Sequence, residues 1–251
     1  MPQIPGPLTV ISPHLDDAVF SCGCLIAAAT DPIVVTVLAG IPDARLDVPD
    51  WDRAAGFDSV LHAVMHRRRE DANSLAALGA RPEWLDFLDG QYGKTYTPDQ
   101  LLGGLARSAA LHRGGTVAVP MGLFHSDHIL VAAACLRMHA MAQAMHATHP
   151  VSTMDDSRGE PAPLPPLQWI FYEDAIYRRL PGLVQRRLCA WLQQGLVATP
   201  VTFALARHQP AKARAVESYE SQLPLFNAEQ LADIAAPERY WALAAADGRP
   251  G

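Results

Sequence analysis

Two short polar runs carry residue types that can bind a metal ion and move protons. The first, Ser12-Pro13-His14-Leu15-Asp16-Asp17, follows Thr9, Val10 and Ile11, which suit a strand, and precedes Ala18, Val19, Phe20, Leu25 and Ile26, which suit a mainly buried helix. The second, His125-Ser126-Asp127-His128, follows the apolar run TVAVP and opens another long apolar stretch. Imidazole and carboxylate are ligands of catalytic zinc, and iron or manganese accepts the same donors. Each run alone has a plainer use, because Asp17 and Asp127 fall where an acid stabilises a helix start whatever its chemistry. Loops at the same end of neighbouring parallel strands can meet even when far apart in sequence. The two runs together therefore predict one site with two histidines and one carboxylate, although spacing does not say which acid ligates.

The elements that must position these runs alternate along the chain. Strands are predicted at 9–11, 33–38, within 83–92, and at 116–120, 167–172 and 201–206. Helices are predicted from residue 18, over 51–78, 98–111, 126–147 and 182–194, and near 210–222 and 228–243. Within 51–78, Phe57, Val60, Leu61, Val64, Leu75 and Leu78 are the expected inward positions, and Gly79 the stop. Strand-helix alternation favours a mostly parallel sheet in an α/β fold. No repeat or interdomain linker interrupts the pattern, so residues 1–251 read as one domain with C-terminal additions. The segment 151–166, rich in acids and proline, reads as a surface loop.

The formal charge of −6, from 20 basic and 26 acidic residues, offers no basic surface for nucleic acid. No apolar run is long enough to span a membrane. The opening MPQIPGP lacks the charged and apolar regions of a signal peptide, which makes the cytoplasm the expected compartment. Cys22, Cys24, Cys135 and Cys189 form no dense disulfide framework or zinc ribbon, and Cys22 and Cys24 are expected as small packing residues. The chain contains no GxSxG elbow, P-loop or GxGxxG fingerprint.

The SPHLDD run resembles the His-Pro-Asp-Asp fingerprint of the LmbE-like or PIG-L-like N-deacetylases, and His125-Ser126-Asp127-His128 is similar to the later His-x-Asp-His run of that family. Weaker similarities extend through WDRAAGF at 51–57, Arg67 and Glu70, Asp89-Gly90, and KARAVESYESQ at 212–222. The resemblance implies a Rossmann-like three-layer α/β/α fold and a zinc-dependent hydrolase that removes an N-acetyl group from an amino sugar or glycoconjugate by attack of metal-activated water. It implies one zinc ion bound by His14, Asp17 and His128. Asp16 would be the general base, His125 would stabilise or protonate the tetrahedral intermediate, and Asp127 would orient a site histidine. Two positions depart from the family pattern. Leu15 replaces the usual proline, and Ala18 replaces a common glutamate whose loss has to be compensated elsewhere.

Substrate contacts are expected from Arg67, Asp89, Trp51 and Tyr92, with Tyr96 a further stacking candidate; solvated charge and ordinary aromatic packing are the plain readings of the same residues. The expected partner is an N-acetylated small molecule or glycoconjugate. The alternatives are an antibiotic, thiol-precursor or lipid-linked amide, or a noncatalytic metal-containing binding protein.

Overall fold

In the computed structural model, which describes residues 4, 6–148 and 164–246, the first half of the chain builds one side of a sheet and the second half the other. The strands are β1 (Leu8–Ser12), β2 (Ile33–Thr36), β3 (Arg81–Trp84), β4 (Gly115–Pro120), β5 (Leu167–Tyr172), β6 (Leu196–Val201) and β7 (Tyr240–Ala245). The helices are α1 (Asp17–Ala28), α2 (Asp50–Ala54), α3 (Val60–Ala77), α4 (Pro98–Leu105), α5 (Ser126–Thr148), α6 (Leu183–Gln193), α7 (Gln209–Val216) and α8 (Ala228–Ala235).

The sheet order is β3-β2-β1-β4-β5-β7-β6. Strands β3 through β5 pair in parallel, whereas β7 runs antiparallel to both β5 and β6. The predicted Rossmann-like α/β/α fold with a mostly parallel sheet is therefore borne out. After β1 the chain winds outward to β2 and β3, then returns to place β4 on the other side of β1. The carboxyl ends of β1 and β4 thus flank a topological switch point, the usual location of a ligand crevice in such sheets.

Alternation along β1 sends Leu8 and Val10 into the core shared with α1, α3, α7 and α8, while Ile11 joins the opposite core with α4 and α5. In α5 the buried positions Val131, Ala134, Cys135 and Met138 recur at helical spacing and seat that helix on the sheet. Thr97 and Asn227 each close a reciprocal capping box, with Gln100 and Gln230 respectively, and so fix where α4 and α8 begin.

Several boundaries differ from the expected ones. The predicted helix over 51–78 is two helices, interrupted at Gly56, whose φ is +86°. Leu61 points outward, while Val60, Val64, Leu75 and Leu78 are buried as expected. Helix α4 stops at Leu105, short of the predicted 111, and α7 ends at Val216. The strand predicted at 201–206 lies earlier, at Leu196–Val201, and the helix predicted over 228–243 ends at Ala235. Tyr240–Ala245 then forms β7: an alanine-rich run with good helix propensity is held extended by pairing with β6 along its whole length. Residues 151–163 of the predicted loop lie outside the described residues. No helix among the described residues is long and apolar enough to cross a membrane. Cys22, Cys24 and Cys135 are buried free thiols, and Cys189 is exposed.

Candidate active site

Ser12, the last residue of β1, locks the loop that follows. Its hydroxyl donates to the His14 carbonyl at 2.6 Å and accepts the Ala18 amide at 3.0 Å. This tight turn places His14 in the loop, Asp16 at the N-cap of α1 and Asp17 in its first turn. Asp16 makes no side-chain capping bond, so the simple helix-cap role does not account for it. After β4, Gly122 (φ +76°) and Phe124 (φ +60°) take left-handed conformations that redirect the chain into α5. A Cβ on Gly122 would lie 2.5 Å from that of Ala132, so backbone and helix approach too closely there for any other residue. Asp127 and His128 then fall in the first turn of α5, with His125 just before it.

The two runs converge on one carboxylate oxygen. Asp17 Oδ2 lies 3.1 Å from His14 Nδ1 and 3.2 Å from His128 Nε2, and it also accepts the His14 backbone amide at 3.0 Å. The outer nitrogen of each ring meets a further carboxylate. His14 Nε2 is 3.1 Å from Asp127 Oδ2, and His128 Nδ1 is 2.7 Å from Asp174 Oδ1. Asp174, just beyond β5, is anchored in turn by the Leu123 amide at 2.8 Å. A carboxylate behind each imidazole fixes its ring and turns the other nitrogen's lone pair inward, an arrangement typical of metal-ligating histidines. Ala18 is buried within α1, and both histidines obtain their carboxylate partners without that position.

Among the described residues, two groups of side chains offer ligand atoms close enough together to hold one metal ion: His14, Asp17 and His128, and His14, His125 and Asp127. The electrostatics match the first group. Burial alone would raise the Asp17 carboxyl, but the His128 and His14 charges overrule it and hold it well below the usual range. Burial opposes charge on His128, yet Asp17 and Asp174 bring its pKa up to about 9. His14 is likewise raised by Asp89, Asp127 and Asp17 against its burial. The ring protons stabilised in this way are those that a metal would displace.

Asp16 behaves differently. Burial, then the neighbouring Asp17 charge, push its pKa up to about 7, and its carboxylate has no hydrogen-bond partner among the described residues. Burial, reinforced by the positive His14 and His128, lowers the pKa of His125. His125 Nδ1 accepts the Asp127 amide at 3.3 Å, which leaves the proton of the neutral ring on Nε2. Asp127 meets His14 through its carboxylate and His125 through its amide. Gly90 also donates to Asp127 Oδ2 at 3.0 Å.

A pocket of about 220 Å³ opens over Asp16, Asp17, His14, His125 and His128. Trp51, Arg67, Asp89 and Tyr92 all line it, so the four expected substrate contacts are gathered there. Arg67 is not on a solvated helix face. It is buried, ion-paired with Asp52, and hydrogen-bonded to the Tyr92 hydroxyl at 3.2 Å. Tyr96 lies outside the pocket, where it packs on Phe87 and accepts the Leu88 amide. Lys212 and Tyr219 anchor the C-terminal segment through the Phe20 carbonyl and Asp71, while Gln222 reaches the rim and accepts from Trp51 Nε1 at 2.8 Å. Sequence reasoning missed the part played by Asp174. Its only sequence signal was a strand followed by an acid, as in the two recognised runs.

A solved deacetylase from the biosynthesis pathway of teicoplanin, in complex with bog, is 25% identical and covers 97% of this chain and 100% of its own, with a TM-score of 0.66. The A40926 pseudoaglycone deacetylase is 23% identical over 99% of this chain and 100% of its own, with a TM-score of 0.67. A 4-carboxy-2-hydroxymuconate hydratase from Pseudomonas putida is 18% identical over 95% of this chain and 96% of its own, with a TM-score of 0.53. The last two likenesses concern the fold alone, and the hydratase illustrates that one fold serves different reactions. No curated protein sequence matches the chain. The family model described as PIG-L, GlcNAc-PI de-N-acetylase, matches residues 9–139, a span that runs from β1 into α5 and contains both polar runs. By that match, over more than half its length, the chain belongs to the PIG-L family of N-acetyl deacetylases and is a metal-assisted amide hydrolase.

Proposed function

We propose that the chain is a zinc-dependent deacetylase that removes the acetyl group from an N-acetylated antibiotic precursor, and that His14, Asp17 and His128 hold the ion. The observation that carries the reading is the pair of carboxylates, Asp127 and Asp174, behind the two imidazoles that face Asp17. The alternative group built on His125 lacks such a carboxylate behind His125, whose Nδ1 takes a backbone amide. Two imidazoles and one carboxylate are a donor set of catalytic zinc, though iron or manganese would accept it. When bound, the ion supplies Lewis acidity, polarising the amide carbonyl and bringing the pKa of water down to about 7.

The chain's own residues supply the proton transfers. Asp16 borders the pocket with a free carboxylate and a pKa near neutrality, which suits it to take a proton from the attacking water. His125 presents Nε2–H as a donor to the oxyanion that develops on the former carbonyl. The departing nitrogen then needs a proton, and Asp16 returns the one it took from the water.

The pocket is smaller than the roughly 300–1,000 Å³ typical of small-molecule sites. It suits the acetamido end of a substrate whose remainder lies on the rim. That rim carries broad apolar surface: Trp51 beside Phe226, and Phe124 beside Tyr177, which stacks on His125. The rim, with the antibiotic-pathway deacetylases among the similar structures, favours a bulky antibiotic-type substrate over a small free amino sugar. The test is acetate release from an N-acetylated A40926-type pseudoaglycone and from N-acetylglucosamine, compared as kcat/KM. We expect at least about a tenfold preference for the pseudoaglycone, or ~1.4 kcal/mol of differential transition-state binding. Equal rates, or a preference for the free sugar, would overturn this assignment.

A further inference from the structure

A second cavity, of about 610 Å³, lies outside the metal-site pocket, between the loop after β6 and the segment that enters β7. Its volume is that of a small-molecule site. Phe203, Leu205 and Trp241 give it apolar walls, and Glu173 and Arg239 are its notable charges. Glu173 is 2% exposed. Its Oε1 accepts Trp241 Nε1 at 3.0 Å, but its Oε2 has no hydrogen-bond partner. The nearest cation, Arg239 Nη1, stands 3.7 Å from Oε2 on a side chain that is 69% exposed. A buried carboxylate oxygen without a donor is costly, and a loosely held surface arginine is easily displaced.

We propose that this cavity binds a small primary ammonium ion carrying a flat apolar body, with the ammonium on Glu173 Oε2 in place of Arg239 and the body between Phe203 and Trp241. An ammonium brings three donors to an oxygen that lacks one, while the body covers apolar wall. Glu238, the other acid of this cavity, does not compete, because it is already engaged by Lys212, Tyr240 and the amides of Cys24 and Leu25.

The site is tested on the intact chain by calorimetric titration with benzylamine, an ammonium at neutral pH, and with benzyl alcohol, its neutral counterpart. Saturable benzylamine binding is expected, at least about tenfold tighter than that of the alcohol. Glu173→Gln, which keeps an acceptor for Trp241, should weaken benzylamine by a similar factor. Thr202→Trp, at an exposed lining position, should block both ligands by filling the cavity. Asp16→Asn should leave the titration unchanged. Absence of saturable binding, equal affinity for the two ligands, indifference to both cavity variants, or loss of binding in Asp16→Asn would each overturn the proposal. The last outcome would place the amine in the acidic metal-site pocket instead.

Discussion

Asp17 presents one oxygen to two imidazoles, and the carboxylates behind those rings decide which nitrogens face it. Removing the charge of Asp174 while keeping its shape therefore acts on His128 rather than on substrate. Asp174→Asn is predicted to weaken zinc binding by about 10–100-fold, as read by chelator competition, with little change in the fold. Unchanged affinity would remove Asp174 from the account. Asp127 carries a second duty because its Oδ2 also takes the Gly90 amide. A Cβ on Gly90 would lie 2.8 Å from Asp127 Oδ1, closer than side chains approach. Gly90→Ala is accordingly predicted to cost about 1–3 kcal/mol in chemical denaturation and to lower zinc affinity as Asp127 is pushed from His14. A variant with unchanged stability and affinity would show that the close approach is unimportant.

At the scale of elements, the site is a product of strand order. Because β1, β4 and β5 are neighbours, the chain emerging from their carboxyl ends brings residues 14–17, 125–128 and 174 to one place. The first two groups were legible because each joins an apolar strand to an apolar helix through a polar run, and the family fingerprint named their members. Asp174 was not, since nothing in Tyr172-Glu173-Asp174 distinguishes an acid held beneath a histidine from one at a solvated strand end. The parallel half of the sheet was likewise readable from its buried strands. The antiparallel β6–β7 pair was missed because Tyr240–Ala245 is held extended by its partners against its own helix propensity. Arg67 was only half legible: the basic run in a helix left open both a substrate contact and a solvated face, and Asp52 on the short α2 draws this arginine inward to the pocket wall. Nothing local to the HRRRED run could reveal that partner.

Across the whole molecule, stability has a titratable contribution independent of the active site. His139 of α5 is buried edge-on against Trp169 and Phe171, and burial lowers its pKa to about 4. Between about pH 6.5 and 4 the unfolded chain binds this proton and the native chain does not, so stability falls as pH drops through that window. Replacing the ring by His139→Leu should flatten this part of the pH–stability curve, by at most about 3 kcal/mol, in urea unfolding at pH 7 and pH 4.5. An unchanged pH dependence would assign the acid lability to other groups. The central claim is that binding the metal and activating the water are separate duties of adjacent acids, Asp17 and Asp16. It is tested most directly by measuring bound zinc and acetate release on the same preparation of Asp16→Asn. The account predicts one zinc per chain, as in the parent protein, with kcat reduced by about 10²–10⁴-fold. Near-parental turnover, or loss of the zinc together with activity, would contradict it.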